Sequence, residues 1–353
     1  MPPAAPPYPP SQTLRLAALS DETVRREDAD GDNWPITWTA DGSQIAAYGD
    51  GWGARPIERH TKANTGLVRL RGAADDFRVA EVEMPWFGGG AENPNFKGCG
   101  LLAVDGVLYH FLRYQVAAEG YRERQQVGSA LIWSRDGGKT RENARAYVPG
   151  ERPAGLFFDE PDHAFHSPTF LQAGKDYADA PDDYVYVYSP HEDRRRANDS
   201  LDMARVRRGN VAERGAYEYF AGLDGDRARW TRDATARSPV FRFDGHVNCG
   251  DVVSVASRRR YLLVTCGAEV GQPSSLALFE APQPWGLWAT VGYVSRWGGE
   301  CDGDWRYDPR LPAAWLRESG GEIEAVLIYS DRIQSDKLNW QRLRLASAKR
   351  SGS

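Results

Sequence analysis

Short apolar runs alternate with tight polar turns along almost the whole chain. In five segments an apolar strand, a polar turn and a second aromatic-rich strand follow one another with a period near two, which is typical of β-hairpins rather than helices. Most of the five segments are followed by one more strand-like run. They are "WPITWTADGSQIAAYGDG" from Trp34, "GLLAVDGVLYHFLRY" from Gly100, "SPTFLQAGKDYADAPDDYVYVYSP" from Ser167, "DVVSVASRRRYLLVTCG" from Asp251 and "AAWLRESGGEIEAVLIYSD" from Ala313.

The five segments recur at a spacing of roughly 65 to 70 residues. Repeats of a hairpin plus two strands predict an all-β fold, a five-bladed β-propeller with four-stranded blades. A β-sandwich is the alternative all-β fold, but it does not require a fivefold repeat. The run "NWQRLRLA" near the C-terminus could pair with the N-terminal segment and close the ring, and only "NVAERGAYEYFAGLDGDRARW" has helical character.

The sequence predicts one domain with short tails. Residues 1–20 are predicted to be a flexible proline-rich segment, residues 21–348 a single propeller, and residues 349–353 a disordered tail. The first residues, "MPPAAPPYPPSQ", contain no apolar core of a secretory signal, so none is expected, and the compartment is left open. No apolar stretch approaches the roughly 18 residues of a membrane span, so no membrane partner is expected.

Charge and composition favour a sugar partner over nucleic acid. The 353 residues include 44 basic and 49 acidic side chains, so a net charge of -5 gives no basic field for nucleic acid. The 12 Trp, 16 Tyr and 12 Phe fit many short strands and could offer flat faces to a sugar. Cys249 and Cys266 flank one hairpin, and the residues leave open whether they are bonded.

Two aspartates lie at one end of the first predicted hairpin. With the turn centred between Asp41 and Gly42, partner numbers sum to about 83, which places Asp50 opposite Asn33 and next to Asp32. Two carboxylates this close raise at least one pKa, so a substrate, a metal or a cation is expected between them. No cofactor is required, although Ca²⁺ could be held among Asp30, Asp32 and Asp50.

In a propeller the innermost strands converge on a central funnel, so aligned strand ends meet there. Clustered carboxylates are what glycoside hydrolysis needs, because one donates a proton while another attacks or activates water. The catalytic candidates are Asp32, Asp50 and, as the alternative acid, Glu300. The candidates for substrate binding are Asn33, Trp34, Trp52, Lys97, Arg113, His166, Tyr188 and Asp251.

Several motifs resemble a group of largely uncharacterised bacterial proteins related to the domain of unknown function 4185. They are "DGDNWPITW", "AAYGDGWG", "DGVLYHFLRY", "SRDGGKT", "PTFLQAGKDYADAPDDYVYVYSP", "AYEYFAGLDGDRARWTRD" and "FEAPQPWGLWATV". The resemblance covers roughly residues 30–347. Characterised members of the wider family are endo-D-arabinanases of glycoside hydrolase family 183, with a predicted propeller fold and paired aspartates near the N-terminus. The resemblance therefore implies a propeller. Asp32 and Asp50 match that pair in kind and spacing. The last-blade region "WGGECDGDWRYDPRLPAAW" departs from the group's pattern, so arabinan is not carried over as the substrate.

Two other functions fit the sequence. A polysaccharide lyase would use a His, Tyr and Arg cluster for β-elimination next to a uronic acid, and His166, His110, Tyr114 and Arg113 are the candidates. A carbohydrate-binding propeller without catalysis would instead repeat sugar sites between its blades. Carboxylates clustered in one funnel favour the hydrolase.

Overall fold

The computed structural model describes residues 5–54, 62–82, 95–117, 124–143, 153, 155–191, 198–248, 250–267, 274–298, 306–331 and 336–348. Their 22 strands fall into five groups along the chain. The first two groups are β1 (Leu14–Asp32), β2 (Ile36–Trp38), β3 (Gln44–Ala54), β4 (Gly66–Arg71) and β5 (Arg78–Val82), then β6 (Phe96–Val104), β7 (Val107–Ala117) and β8 (Arg124–Ser134). The third is β9 (Thr169–Phe170), β10 (Tyr184–Pro190), β11 (Asn198–Arg207), β12 (Glu218–Asp224), β13 (Arg227–Thr231) and β14 (Phe241–Val247). The last two are β15 (Asp251–Val255), β16 (Arg260–Gly267), β17 (Ser274–Ala281) and β18 (Ala289–Trp297), then β19 (Arg306–Arg310), β20 (Arg317–Ser319), β21 (Glu322–Asp331) and β22 (Lys337–Ser347).

The described helices are all single 3₁₀ turns of three residues, so the all-β prediction is confirmed. The helical character predicted for the segment from Asn210 to Trp230 was wrong, because most of that segment forms β12 and β13. None of the described helices is long or apolar enough to cross a bilayer. The turns are Lys175–Tyr177, Arg208–Asn210, Arg214–Ala216, Ala234–Ala236, Ala256–Arg258 and Ala313–Trp315.

Antiparallel pairing organises the strands into four sheets. The chain order is kept in β6-β7-β8 and in β15-β16-β17-β18, and the third group runs β13-β12-β11-β10-β9 with β14 beside β11. The largest sheet joins the two ends of the chain in the order β19-β21-β22-β1-β3-β4-β5. The long strand β1 therefore pairs with the C-terminal strand along most of its length and with β3 at its end.

Turn chemistry explains the tight hairpins. Between β6 and β7, Asp105 and Gly106 have φ of 52° and 75°, the left-handed pair that a two-residue type I′ turn requires. The "SRDGGKT" turn after β8 is closed by Asp136, whose carboxylate accepts the Thr140 backbone N–H at 2.9 Å and its hydroxyl at 2.6 Å. Those bonds lower the pKa of Asp136 to about 2.

Hydrogen bonds also join strands of neighbouring groups to one another. A backbone N–H of β6 donates to Thr37 Oγ1 on β2 at 2.9 Å. Gln172, just after β9, donates its side-chain amide to the Leu101 carbonyl oxygen on β6 at 2.9 Å and exchanges two backbone bonds with β15. Leu311, just after β19, donates its N–H to Asp251 Oδ2 on β15 at 2.8 Å. The strands β2, β6, β9, β15 and β19, one from each group, therefore follow one another as neighbours.

The N-terminal segment is anchored from Tyr8 onward, whereas residues 1–20 were predicted to be flexible. Tyr8 stacks on Phe241, with ring centroids 5.3 Å apart, and the backbone beyond it bonds to Thr290. Ser11 and Thr13 both donate their hydroxyls to Glu280, a buried carboxylate on β17. Sequence reasoning missed this because proline-rich composition is also typical of disordered tails. The predicted tail 349–353 lies outside the described residues.

Replacing Ser11 and Thr13 together with Ala is expected to destabilise the fold by about 2–4 kcal/mol, because it removes two hydroxyl donors from a buried carboxylate. Urea unfolding followed by tryptophan fluorescence measures the effect, with Gln12→Ala, at an exposed position between the two, as the matched control. Equal unfolding midpoints for the double variant and the control would contradict the anchoring role.

Candidate functional site

The end of β1 carries Asp32 into a short turn before β2. Strand pairing places Asp32 opposite Gly49, and β2 pairs with β3 in a register whose partner numbers sum to 82. The predicted pairing of Asp50 with Asn33 was therefore wrong in register. The five-residue loop Thr39–Ser43 and a bulge in β3 cause the difference. Asp50 nevertheless lies one residue from the partner of Asp32, as the hairpin argument required.

The bulge in β3 displaces Asp50 from the ladder. Between the pairs Asp30–Gly53 and Asp32–Gly49, β1 has one residue and β3 has three. Asp50 adopts a φ of 46°, a left-handed conformation that costs energy for a non-glycine residue and commonly occurs at functional sites. Gly51 allows the close approach, because a Cβ there would overlap the Asp30 carbonyl oxygen. The "GDG" glycines thus serve the placement of the carboxylate.

Burial and charge act differently on the two carboxylates. Asp32 is 9% exposed, and within the described residues its Oδ1 has no hydrogen-bond partner. Burial raises the pKa of Asp32 to about 6, with Asp50 and Asp336 adding to the rise and Lys97 and Arg113 opposing it. Asp32 thus remains protonated at mildly acidic pH.

Asp50 has the opposite tendency. Its side chain is 43% exposed and is paired with Lys97 Nζ. Burial alone would raise its pKa, but Lys97 outweighs that effect, together with Arg113 and Lys62, and the pKa of Asp50 is lowered. Two carboxylates at the end of one hairpin therefore favour opposite protonation states, which is the arrangement that separates an acid from a base or nucleophile.

The two cations come from the neighbouring sheet. Lys97 lies near the start of β6, and Arg113 is its partner in register on β7. Both positions were predicted to bind substrate, and the structure places both near the carboxylate pair. Trp52, two residues after Asp50, is 43% exposed and donates its backbone N–H to Asp30 Oδ1 at 3.0 Å. Its ring is available as a stacking face.

A buried polar network fixes the turn after Asp32. Asn33 donates its side-chain amide to the Gly98 carbonyl oxygen at 2.6 Å, and its Oδ1 accepts from Arg310 Nη2 at 2.6 Å. Arg310 is fully buried and also lies 3.6 Å from Asp251 Oδ1. Asn33, Arg310 and Asp251 come from three different strand groups, so the turn is held from several sides.

Five predicted substrate-binding residues are buried in structural roles, which corrects those predictions. Asn33 and Asp251 use their polar atoms within the network just described. Trp34 and Tyr188 are fully buried; Trp34 packs on Tyr48 at 5.6 Å, and Tyr188 donates its hydroxyl to the Pro284 carbonyl oxygen at 2.7 Å. Buried rings cannot stack on a sugar.

The fifth residue, His166, is 2% exposed, and its Nδ1 lies 2.8 Å from Gln126 Oε1, so it offers little surface to a ligand. Glu300, the alternative acid, lies outside the described residues. Within the described ranges no group of three or more His, Cys, Asp or Glu side chains could hold a metal ion. Ca²⁺ among Asp30, Asp32 and Asp50 therefore finds no support in their geometry.

Sequence reasoning missed two residues beside Asp32. Tyr307 on β19 is buried and donates its hydroxyl to Asp336 Oδ1 at 2.5 Å. The Asp336 carbonyl oxygen accepts the Gly31 N–H at 2.9 Å, which places Asp336 next to the catalytic candidate. No local motif marks either residue, because both reach the site through the pairing of the chain ends.

No protein-family model matches the chain, and no curated protein matches its sequence. Solved structures do resemble it. A Bacteroides ovatus protein proposed to be a hydrolase is 12% identical with a TM-score of 0.53, over 94% of this chain and 93% of that chain. Xylan β-1,4-xylosidase from Bacillus halodurans is 9% identical with a TM-score of 0.51, over 90% of this chain and 53% of that chain. At these identities the likeness shows the fold alone, and it agrees with the predicted β-propeller class.

Replacing Asp32 with Asn is expected to stabilise the folded chain at alkaline pH. The pKa of Asp32 is about 6 in the folded chain against an ordinary 3.8, so the folded state binds this proton more tightly than the unfolded state. Wild-type stability is therefore retained below the ordinary pKa and falls as the pH rises through 6, by at most about 3 kcal/mol. Asn carries no charge and escapes this loss.

Urea unfolding of wild type and Asp32→Asn at about pH 4 and about pH 8 measures this difference. Asp224→Asn, at an exposed position at the end of β12, is the isosteric control. A stability difference between wild type and Asp32→Asn that is the same at both pH values would contradict the raised pKa.

Proposed function

We propose that the chain is a glycoside hydrolase that cleaves a poly- or oligosaccharide with Asp32 and Asp50. Asp32 donates its proton to the leaving glycosidic oxygen, and ionised Asp50 attacks the anomeric carbon or activates the water that does. The observation that carries this assignment is the opposite effect of the surroundings on the pKa of two adjacent carboxylates. Glu300 remains the alternative acid.

The proposal includes a five-bladed β-propeller with four-stranded blades. In this arrangement β2–β5 form the first blade, β6–β8 belong to the second, β9–β12 form the third and β15–β18 the fourth. The fifth blade combines β19, β21 and β22 with the N-terminal strand β1 as its outer strand. A series of hydrogen bonds supports the five-bladed arrangement. The series runs from β2 to β6, from β6 to Gln172, from Gln172 to β15 and from β15 to the end of β19. Arg310 on β19 then donates to Asn33, just before β2.

Three further residues are assigned to substrate. Trp52 offers its exposed ring to the apolar face of a sugar, and Arg113 and Lys97 offer donors to hydroxyls or to a sugar carboxylate. Lys97 also keeps Asp50 ionised, so its removal would affect both binding and chemistry. No particular sugar is assigned.

Two likenesses support the proposal of a carbohydrate-active hydrolase. Solved structures that share the fold include a protein proposed to be a hydrolase and a xylosidase, and several sequence motifs resemble the group related to the domain of unknown function 4185. The lyase alternative has less support, because His110, His166 and Tyr114 are all buried. Burial and the nearby Arg141 also lower the pKa of His110 well below its ordinary value.

Asp32→Asn and Asp50→Asn are each expected to lower hydrolysis by roughly 100-fold or more, because each removes one partner of the proton transfer or attack. A panel of polysaccharides is assayed for new reducing ends and, in parallel, for absorbance from unsaturated uronate. Activity should be highest at mildly acidic pH, where Asp32 is protonated and Asp50 is ionised.

Asp224→Asn serves as the control and should retain wild-type rates. Unsaturated products with full activity in both variants would refute the hydrolase and favour a lyase. Binding of a polysaccharide without the release of new reducing ends or unsaturated products would instead favour a non-catalytic binding protein.

A further inference from the structure

Asp32 is flanked on both sides by contacts to the last strand group. The preceding residue, Gly31, donates its N–H to the Asp336 carbonyl oxygen at 2.9 Å. The following residue, Asn33, donates its N–H to Ser330 Oγ at 3.0 Å. Ser330 is the strand partner of Tyr307, whose hydroxyl is bonded to Asp336 at 2.5 Å. Tyr307 and Asp336 are thus bonded to each other beside the backbone that carries Asp32.

We propose that Asp336, held in place by Tyr307, is a positioning residue that keeps the Asp32 carboxyl in its protonated, proton-donating form. The inference rests on the proposed function and extends it with a third carboxylate that does not touch the reacting bond. A fixed negative charge beside a buried carboxyl disfavours its ionisation, because like charges repel strongly where water is excluded.

The other charges around Asp32 oppose one another. Lys97 from β6 and Arg113 from β7 both favour the ionised form of Asp32, while Asp50 from β3 disfavours it. Lys97 is paired with Asp50, so each offsets much of the other's effect on Asp32. Burial and Asp336 then act against Arg113, and the pKa of Asp32 stays above its ordinary value.

Tyr307 restricts where the carboxylate of Asp336 can lie. Its ring is buried. Burial raises the pKa of Tyr307, and the negative charges of Asp32 and Asp336 raise it further. The hydroxyl therefore remains a donor throughout the working pH range. The Asp336 main chain is fixed by Gly31, and β22 begins at the next residue, Lys337, opposite Asp30. Side chain and backbone are therefore both fixed relative to the end of β1.

The test is a carboxyl-carbon NMR titration of Asp32, assigned by the signal that is lost in Asp32→Asn. Asp336→Asn is expected to lower the pKa of Asp32 by roughly half a pH unit or more, because it removes a nearby negative charge. The alkaline limb of the kcat/KM profile should move to lower pH by the same amount. Asp336→Glu, which keeps the charge, should restore much of the wild-type value.

Asp28→Asn is the matched control. Asp28 is an exposed acid on β1, the strand that carries Asp32, and its Oδ1 lies 3.5 Å from Lys337 Nζ. Its Asp32 titration should match wild type. If thermal melting shows that Asp336→Asn does not fold, Asp336→Ser removes the same charge with a smaller side chain.

An unchanged Asp32 titration in a folded Asp336 variant would overturn the inference, even if activity were lost. The titration does not depend on a substrate. Failure of the proposed function would therefore be recognised separately, as absence of hydrolysis across the panel.

Discussion

The site depends on a guanidinium group that has no access to water. Arg310 is fully buried, and an unpaired charge in that position would cost several kcal/mol, so its partners must be well placed. Those partners are Asn33 and Asp251, and Asn33 in turn bonds to Gly98 on a third strand group. The same contacts hold Asn33 and Trp34 at φ of 76° and 30°, conformations that a free chain would avoid. The position of Asp32 is set by this network.

Once the turn is fixed, the difference between the two carboxylates follows from where their neighbours lie. Asp32 points into a region with little water, where its ionised form is disfavoured. Asp50 is displaced by the bulge toward solvent and toward Lys97, where its ionised form is favoured. The fold thus buries one acid away from water and places the other beside a cation, and this difference favours opposite protonation states of the two carboxylates.

The parts of this account that sequence reasoning could reach are those encoded locally. Alternating strands and turns such as Asp105–Gly106 predict the hairpins, and the hairpin at Asp30–Gly53 predicts that Asp32 and Asp50 meet. The register was one residue off because loop length and a bulge at Asp50 are set by backbone conformation, which residue types do not specify. Trp34 and Tyr188 were misassigned because an aromatic residue in a strand has the same pattern whether it faces the core or a ligand.

Residues that act over long sequence distances could not be predicted in the same way. Arg310 lies in "YDPRLP", which is typical of a turn, and Asp336 precedes an ordinary strand. Both gain their roles because β22 pairs with β1 and brings the end of the chain to its beginning. The N-terminal residues Tyr8 to Thr13 belong to the same class, since their partners Phe241 and Glu280 are on distant strands.

The most direct test of the central claim is a crystal structure of the Asp50→Asn variant with a bound oligosaccharide identified from the panel. The account predicts that the scissile glycosidic oxygen lies within hydrogen-bond distance of the Asp32 carboxyl, with residue 50 near the anomeric carbon and a sugar ring on Trp52. A sugar bound away from both positions, with Asp32 facing no glycosidic oxygen, would contradict it.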